Sequence, residues 1–141
     1  MAQLDYKILY RRSNESHSTD FVIDGKSLLQ AILEKSDGHS DYLGCFARNW
    51  DSLNNHSKRQ LLKLETPETE SGRSLIYVCP ECADIGCGAF GCKITKKDGI
   101  YRWSDFAYEN GYEDPKLIQG IGPFDFKEKE YENVIEEAFA L

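Results

Sequence analysis

The sequence lacks an apolar run long enough to cross a lipid bilayer. One of its longest apolar stretches, SLIYVC at residues 74–79, is far shorter than the roughly 20 residues that a membrane-spanning helix needs. The N-terminus also lacks the apolar core of a secretory signal peptide, because its bulky residues are interleaved with Asp5, Lys7 and Arg11. We therefore expect a cytoplasmic protein without membrane contacts. Because that compartment is reducing and the five cysteines are odd in number, we expect no disulfide framework.

The chain also lacks an excess of positive charge. It has 24 acidic and 17 basic residues, which gives a net charge of −7. An acidic surface repels phosphate backbones, so we expect no direct binding to nucleic acid. The same charge favours a basic protein partner, although the alternative is that it only keeps a small protein soluble.

A recognisable catalytic set is missing as well. The three histidines lie in polar segments, and no Ser/His/Asp arrangement can be inferred from the sequence. No glycine-rich loop of the kind that cradles phosphate is present. We therefore assign no catalytic residues, no metal ligands and no cofactor.

The first half of the chain predicts strands followed by a helix. Residues 4–10 alternate apolar and polar side chains, which is typical of a strand with one buried face, and residues 20–23 predict a second strand. Residues 11–19 are interpreted as a loop. Apolar residues at helical spacing then predict an amphipathic helix over 26–35. A shorter helix is predicted from residue 54, and Cys45, between apolar neighbours, is interpreted as a small buried hydrophobic residue.

The second half predicts a strand, a hairpin and a helix. Residues 74–78 are nearly all apolar and predict a central strand. Asp98-Gly99 is a favoured two-residue turn, and it predicts a hairpin with Phe90, Cys92 and Ile94 on one face. The last fifteen residues carry an apolar stripe typical of a helix. Together these elements predict one α+β domain, residues 1–141, with a central, mostly antiparallel sheet, a helix in the N-terminal half and a C-terminal helix.

Four cysteines occupy fourteen positions, 79–92, with the spacing C-x2-C-x4-C-x4-C. Zinc accepts four thiolates in a tetrahedron, so a zinc protein that uses Cys79, Cys82, Cys87 and Cys92 is one alternative function. Against it, Cys92 lies on the predicted apolar face of a strand, and a chain of this length needs no metal to complete its core. We therefore favour a structural role for the cluster.

The segment CPEC at residues 79–82 offers a second alternative, a thiol oxidoreductase. Redox motifs of this type place the reactive thiolate at the N-terminus of a helix, which lowers the pKa of the thiol. Here Gly86 and Gly88 follow closely and disfavour a stable helix. The spacing alone therefore does not establish redox chemistry.

Acidic and aromatic residues alternate near the end of the predicted hairpin. Tyrosine anchors surrounded by carboxylates suit the capture of a basic partner, whereas the alternative is an ordinary solvated strand end. The residues to which we assign partner binding are Asp84, Asp105, Tyr108, Glu109, Tyr112, Glu113 and Asp114.

Three segments together resemble a family of small bacterial proteins: YVCPECADIGCGAF, YRWSDFAYEN and IGPFDFKEKEY. The family pattern is a Cys-x-x-Cys-Gly-Asp-x-Gly-Cys-Gly core, a Trp-x-Asp-Phe hairpin and a Gly-Pro-Phe-x-Phe segment. The resemblance extends over residues 75–135. The chain departs from the pattern at Ala83, where glycine is expected, and at Cys92, where an aliphatic residue is expected. The second departure supports a core position for Cys92.

Some members of such families look like immunity proteins of contact-dependent growth inhibition systems. The resemblance implies a cytoplasmic protein that binds the C-terminal domain of a cognate toxin, often a basic nuclease, and blocks it by occlusion. It also implies that the chain itself catalyses nothing.

Overall fold

The computed structural model describes residues 1–11, 16–36, 43–47, 50–80 and 85–140.

The first sheet follows from the alternating N-terminal sequence. Strand β1 (Leu4–Arg11) pairs antiparallel with β2 (Ser16–Ile23), and β2 pairs with the two-residue strand β3 (Lys26–Ser27). The register sets Leu4 opposite Ile23 and Tyr6 opposite Phe21, so apolar side chains share one face.

Helix α1 (Leu28–Lys35) begins directly after β3. Its N-cap is Ser27, whose hydroxyl oxygen accepts the backbone N–H of Gln30 at 3.0 Å. The carboxylate of Asp20 also caps this end, since it accepts the backbone N–H of Leu29 at 3.3 Å and the hydroxyl of Tyr77 at 2.7 Å. The buried carboxylate is therefore hydrogen-bonded, and it fixes α1 against β2.

The second sheet contains five strands: β4 (Ser74–Tyr77), β5 (Ala89–Lys97), β6 (Ile100–Glu109), β7 (Lys116–Leu117) and β8 (Phe124–Lys127). Strands β5 and β6 form the predicted hairpin around Asp98-Gly99. The outer edge of β6 is divided, because β8 pairs with its first part and β7 with its last part. All of these pairings are antiparallel.

A short extended segment connects the two sheets. Cys45 pairs with Thr19 of β2, and its neighbour Gly44 pairs with Val78, just beyond β4. Four backbone hydrogen bonds of 2.6 to 2.9 Å hold these two bridges. Strand β4 is thus at the border of its own sheet but lies between the two sheets in the molecule, which agrees with its apolar composition.

The C-terminal helix α3 (Glu128–Phe139) completes the core. Tyr131, on its buried stripe, stacks on Tyr101 with ring centroids 4.1 Å apart. The hydroxyl of Tyr131 accepts the indole N–H of Trp103 at 3.1 Å and donates to the carbonyl of Leu61 at 2.6 Å. These contacts join β6, α3 and the end of helix α2 (Asp51–Leu61). The indole N–H of Trp103 and the hydroxyl of Tyr131 therefore have hydrogen-bond partners at the centre of the aromatic core.

The predicted α+β class is confirmed, with differences in detail. Residues 16–19, predicted to be a loop, belong to β2, and α2 begins at Asp51 rather than at residue 54. Cys45 and Cys92 are buried, as predicted. None of the described helices is long and apolar enough to span a bilayer.

Candidate partner-binding surface

Two loops meet at the end of the five-stranded sheet. One precedes β5 (residues 85–88) and the other follows β6 (residues 110–115). Tyr108 packs so closely on Gly88 that a Cβ at Gly88 would overlap the tyrosine hydroxyl. In the same way, a Cβ at Gly111 would lie 3.3 Å from the Cγ2 atom of Ile85. The described part of the cysteine loop, residues 85–88, therefore lies next to the acidic loop, residues 110–115.

The loop after β6 presents an exposed tyrosine. The Oδ1 atom of Asn110 accepts the backbone N–H groups of Tyr112 at 2.9 Å and Glu113 at 3.1 Å, which forms a side-chain-stabilised turn. Gly111 supplies the positive φ of +80° that this turn requires. The side chain of Tyr112 is 83% exposed as a result.

Three further exposed residues follow this tyrosine within five positions of the chain. Glu113 and Asp114 follow it in the turn, and Leu117 on β7 is 60% exposed. Glu113 forms an ion pair with Lys116, at 3.8 Å and open to solvent. We call Tyr112, Glu113, Asp114 and Leu117 the Tyr112 surface. It combines apolar area with negative charge.

Glu109 does not belong to this exposed surface, although the sequence suggested a partner-binding role. It is only 6% exposed, and its two carboxylate oxygens accept the hydroxyl of Ser71 at 3.0 and 2.8 Å. The Nη1 atom of Arg73, itself buried, lies 3.8 Å from the same carboxylate. A buried charge requires such partners. Its negative charge is therefore compensated within the chain, where it anchors the loop that precedes β4.

The remaining candidate residues are divided. Tyr108 is half-buried and packs edge-on against Phe90, with ring centroids 5.8 Å apart, so only part of it faces solvent. Asp105 is exposed, and one of its oxygens lies 3.8 Å from the Nζ atom of Lys93. Asp84 lies outside the described residues. The structure thus brings together Tyr108, Tyr112, Glu113 and Asp114, and places Asp105 further along β6.

The described cysteines are mostly buried. Burial raises the pKa of the Cys92 thiol well above its ordinary value of 9.0, and it raises that of Cys45 as well. Cys79 is also buried, whereas Cys87 is exposed at the end of a three-residue 3-10 turn, Ile85–Cys87. Such a turn is too short to supply the helix terminus that lowers a thiol pKa in redox motifs.

The described cysteines of the motif do not converge as metal ligands. Within the described ranges, the one group of three or more ligand-type side chains whose ligand atoms all lie within 4.8 Å is His56, Glu65 and Glu68. Cys82, the remaining cysteine of the motif, lies outside the described residues. The sulfurs of Cys79, Cys87 and Cys92 are therefore farther apart than a shared zinc ion would hold them.

The group at His56 is a surface ion-pair network. The Nδ1 atom of His56 lies 2.8 Å from one oxygen of Glu65, and the Nε atom of Arg59 lies 3.2 Å from the other. The hydrogen bond from His56 lowers the pKa of the Glu65 carboxyl. Because the guanidinium of Arg59 already compensates the charge of Glu65, these side chains lie together without a metal ion.

Comparisons of the chain with protein-family models, with curated proteins and with solved structures find no match. Sequence reasoning identified three of the four residues of the Tyr112 surface and missed Leu117. The signal for Leu117 was an apolar residue next to Lys116 in a polar connection, but that pattern does not distinguish a buried residue from an exposed one.

Proposed function

We propose that this chain is an immunity-type binding protein that captures a basic toxin domain, of the kind found in contact-dependent growth inhibition, and blocks it by occlusion. The observation that carries the proposal is the 83% exposure of Tyr112 on a turn fixed by Asn110, beside two exposed carboxylates. We place the encounter in the cytoplasm, and we propose a nuclease as the toxin because nucleases present basic surfaces to their substrates.

The local geometry supports binding for an energetic reason. A large aromatic side chain gains free energy when a partner removes it from water, and tyrosine is enriched among the residues that dominate interface energies. The two hydrogen bonds to Asn110 order the turn before any partner arrives. Less conformational entropy is then lost on association.

The electrostatics support a basic partner. The net charge is −7, and the two carboxylates beside Tyr112 are exposed. Long-range attraction of this kind raises the rate of encounter with a cationic protein, and it penalises partners of like charge. The Tyr112 surface contains two carboxylates, one phenol and one aliphatic side chain, which suits occlusion rather than acid–base chemistry.

The test is co-expression of the chain with the protein encoded in the adjacent reading frame, followed by calorimetry and a nuclease assay. We expect a stoichiometric complex in which nuclease activity is lost. Truncation of a central interface tyrosine costs about 2 kcal/mol or more, so Tyr112→Ala should weaken binding by about thirtyfold. Tyr10→Ala is the matched control, since Tyr10 is 52% exposed on β1 of the other sheet. Equal binding by both variants, or no complex with the wild-type chain, would contradict the proposal.

A further inference from the structure

A cleft opens where the outer edge of β6 changes neighbours. Strand β7 pairs with Ala107 and Tyr108, and β8 pairs with Ile100–Trp103. Within the part of the chain that the structure describes, neither strand pairs with Ser104 or Asp105. Residues 118–123 connect β7 to β8 across this gap and leave a cleft with a volume of about 350 Å³.

Two of the segments that carry the family resemblance line this one cleft. Asp105 and Phe106 come from the Trp-x-Asp-Phe segment, and Gly122 and Pro123 come from the Gly-Pro-Phe-x-Phe segment. Phe106 and Phe124 pack edge-on beneath it, with ring centroids 5.9 Å apart. The segments are distant in sequence, so their meeting is a property of the fold.

The backbone at Asp105 departs from regular strand geometry. The residue has a positive φ of 54°, and the register between β5 and β6 shifts opposite it. Its carbonyl accepts the Nε–H of the buried Arg73 at 2.6 Å, which holds the bulge in place. Bulges redirect a side chain, and strained backbone of this kind is concentrated at functional sites.

The charges around the cleft leave Asp105 as its available anion. Arg102 also lines the cleft, but its guanidinium forms two hydrogen bonds of 2.7 and 2.9 Å with the carboxylate of Asp125. The side chain of Asp105 is 58% exposed, and the Nζ atom of Lys93, also exposed, lies 3.8 Å from its carboxylate. The apolar lining comes from Leu117, Ile118 and Ile121.

We propose that this cleft receives an arginine side chain of the basic partner, a proposal that rests on the proposed function. The guanidinium binds the Asp105 carboxylate, and the aliphatic stem lies along Leu117 and Ile121. A planar guanidinium can form two parallel hydrogen bonds with one carboxylate, which an ammonium group cannot. Because Leu117 both lines the cleft and belongs to the Tyr112 surface, one partner segment can reach both places.

The test uses the full-length chain and a small probe, N-acetyl-arginine methylamide, followed by amide chemical shifts. We expect saturable shifts at the amides of Gly120, Ile121 and Gly122. Loss of one exposed ion pair should weaken this binding by about fivefold in Asp105→Asn. Asp98→Asn is the matched control, because it removes the same charge at the other end of the β5–β6 hairpin. N-acetyl-norleucine methylamide, which lacks the charge, should leave these amides unchanged.

The outcomes separate the cleft from the partner surface. Shifts scattered over the surface, or equal weakening in Asp105→Asn and Asp98→Asn, would overturn the arginine site. That result would leave toxin binding through Tyr112 intact, since the Tyr112→Ala comparison does not involve the cleft. Conversely, specific arginine binding without any toxin complex would refute the proposed function and keep a cation-binding cleft.

Discussion

At the residue scale, whether an acidic side chain can bind a partner depends on whether residues of the chain itself already pair with its charge. Glu109 and Glu113 are both acidic residues near the end of β6, and local sequence gives no reason to separate them. Glu109 is nevertheless buried against Ser71 and Arg73, 38 and 36 positions away in the chain. Glu113 stays in solvent. Only Glu113 is therefore available to a partner.

The buried pair predicts a large stability effect. Arg73→Met removes the cation and leaves Glu109 buried with only Ser71 as partner, so we expect the free energy of unfolding to fall by about 3 kcal/mol. Urea denaturation provides the measurement. Arg102→Met is the control, because its ion pair with Asp125 has shorter distances but is exposed. A loss in Arg102→Met as large as that in Arg73→Met would contradict this interpretation.

Cys92 predicts a change in the pH dependence of stability. Its pKa is raised by burial in the folded chain, so above its ordinary value of 9.0 the unfolded chain loses a proton that the folded chain retains. The stability that this difference contributes is fully present below pH 9 and is lost progressively above it.

Cys92→Val removes the pH-dependent contribution of the Cys92 thiol to stability. At pH 7 the variant should stay within about 1.5 kcal/mol of the wild type, because the replacement is apolar and similar in volume. Between pH 8 and pH 10 its free energy of unfolding should fall by about 1 kcal/mol less than that of the wild type. Urea denaturation at the two pH values provides the measurement. An equal fall in the free energy of unfolding for the variant and the wild type would show that burial does not raise the pKa of the Cys92 thiol.

At the scale of elements, the sequence predicts what local patterns determine. The β5–β6 hairpin and the stripe of α3 were predictable, because a two-residue turn and a helical period are encoded by neighbouring residues. The bridges at Gly44 and Cys45 were not, since they connect segments whose pairing depends on the whole fold. The cleft at Asp105 could not be predicted for the same reason, although the sequence marks both segments that line it.

The bulge in β6 predicts a separation of stability from binding. Glycine accepts the positive φ of 54° at position 105 without strain, but it also costs more conformational entropy on folding. We therefore expect Asp105→Gly to change the free energy of unfolding by less than about 1 kcal/mol, while binding of the arginine probe weakens by about fivefold, as in Asp105→Asn. A large loss of stability in thermal or urea denaturation would mean that Asp105 is retained for folding.

At the scale of the whole molecule, the described residues form two sheets and three helices, and the Tyr112 surface lies at one end of the five-stranded sheet. Trp103, Tyr101 and Tyr131 pack together at the centre of the core, and the β5–β6 hairpin extends from there to the turn that carries Tyr112. A packed scaffold with a negative, aromatic end suits capture of a large cationic partner. It does not require any of the cysteines to react.

The most direct test of the proposed function is the association rate with the proposed basic toxin domain as a function of salt. We predict that the double variant Glu113→Lys and Asp114→Lys associates more slowly at low salt, and that the difference shrinks as salt shortens the Debye length to about 3 Å near 1 M. The control Glu130→Lys and Glu137→Lys makes the same charge change at exposed positions of α3. Equal association rates in the two double variants across the salt series would contradict the claim that the Tyr112 surface meets the partner.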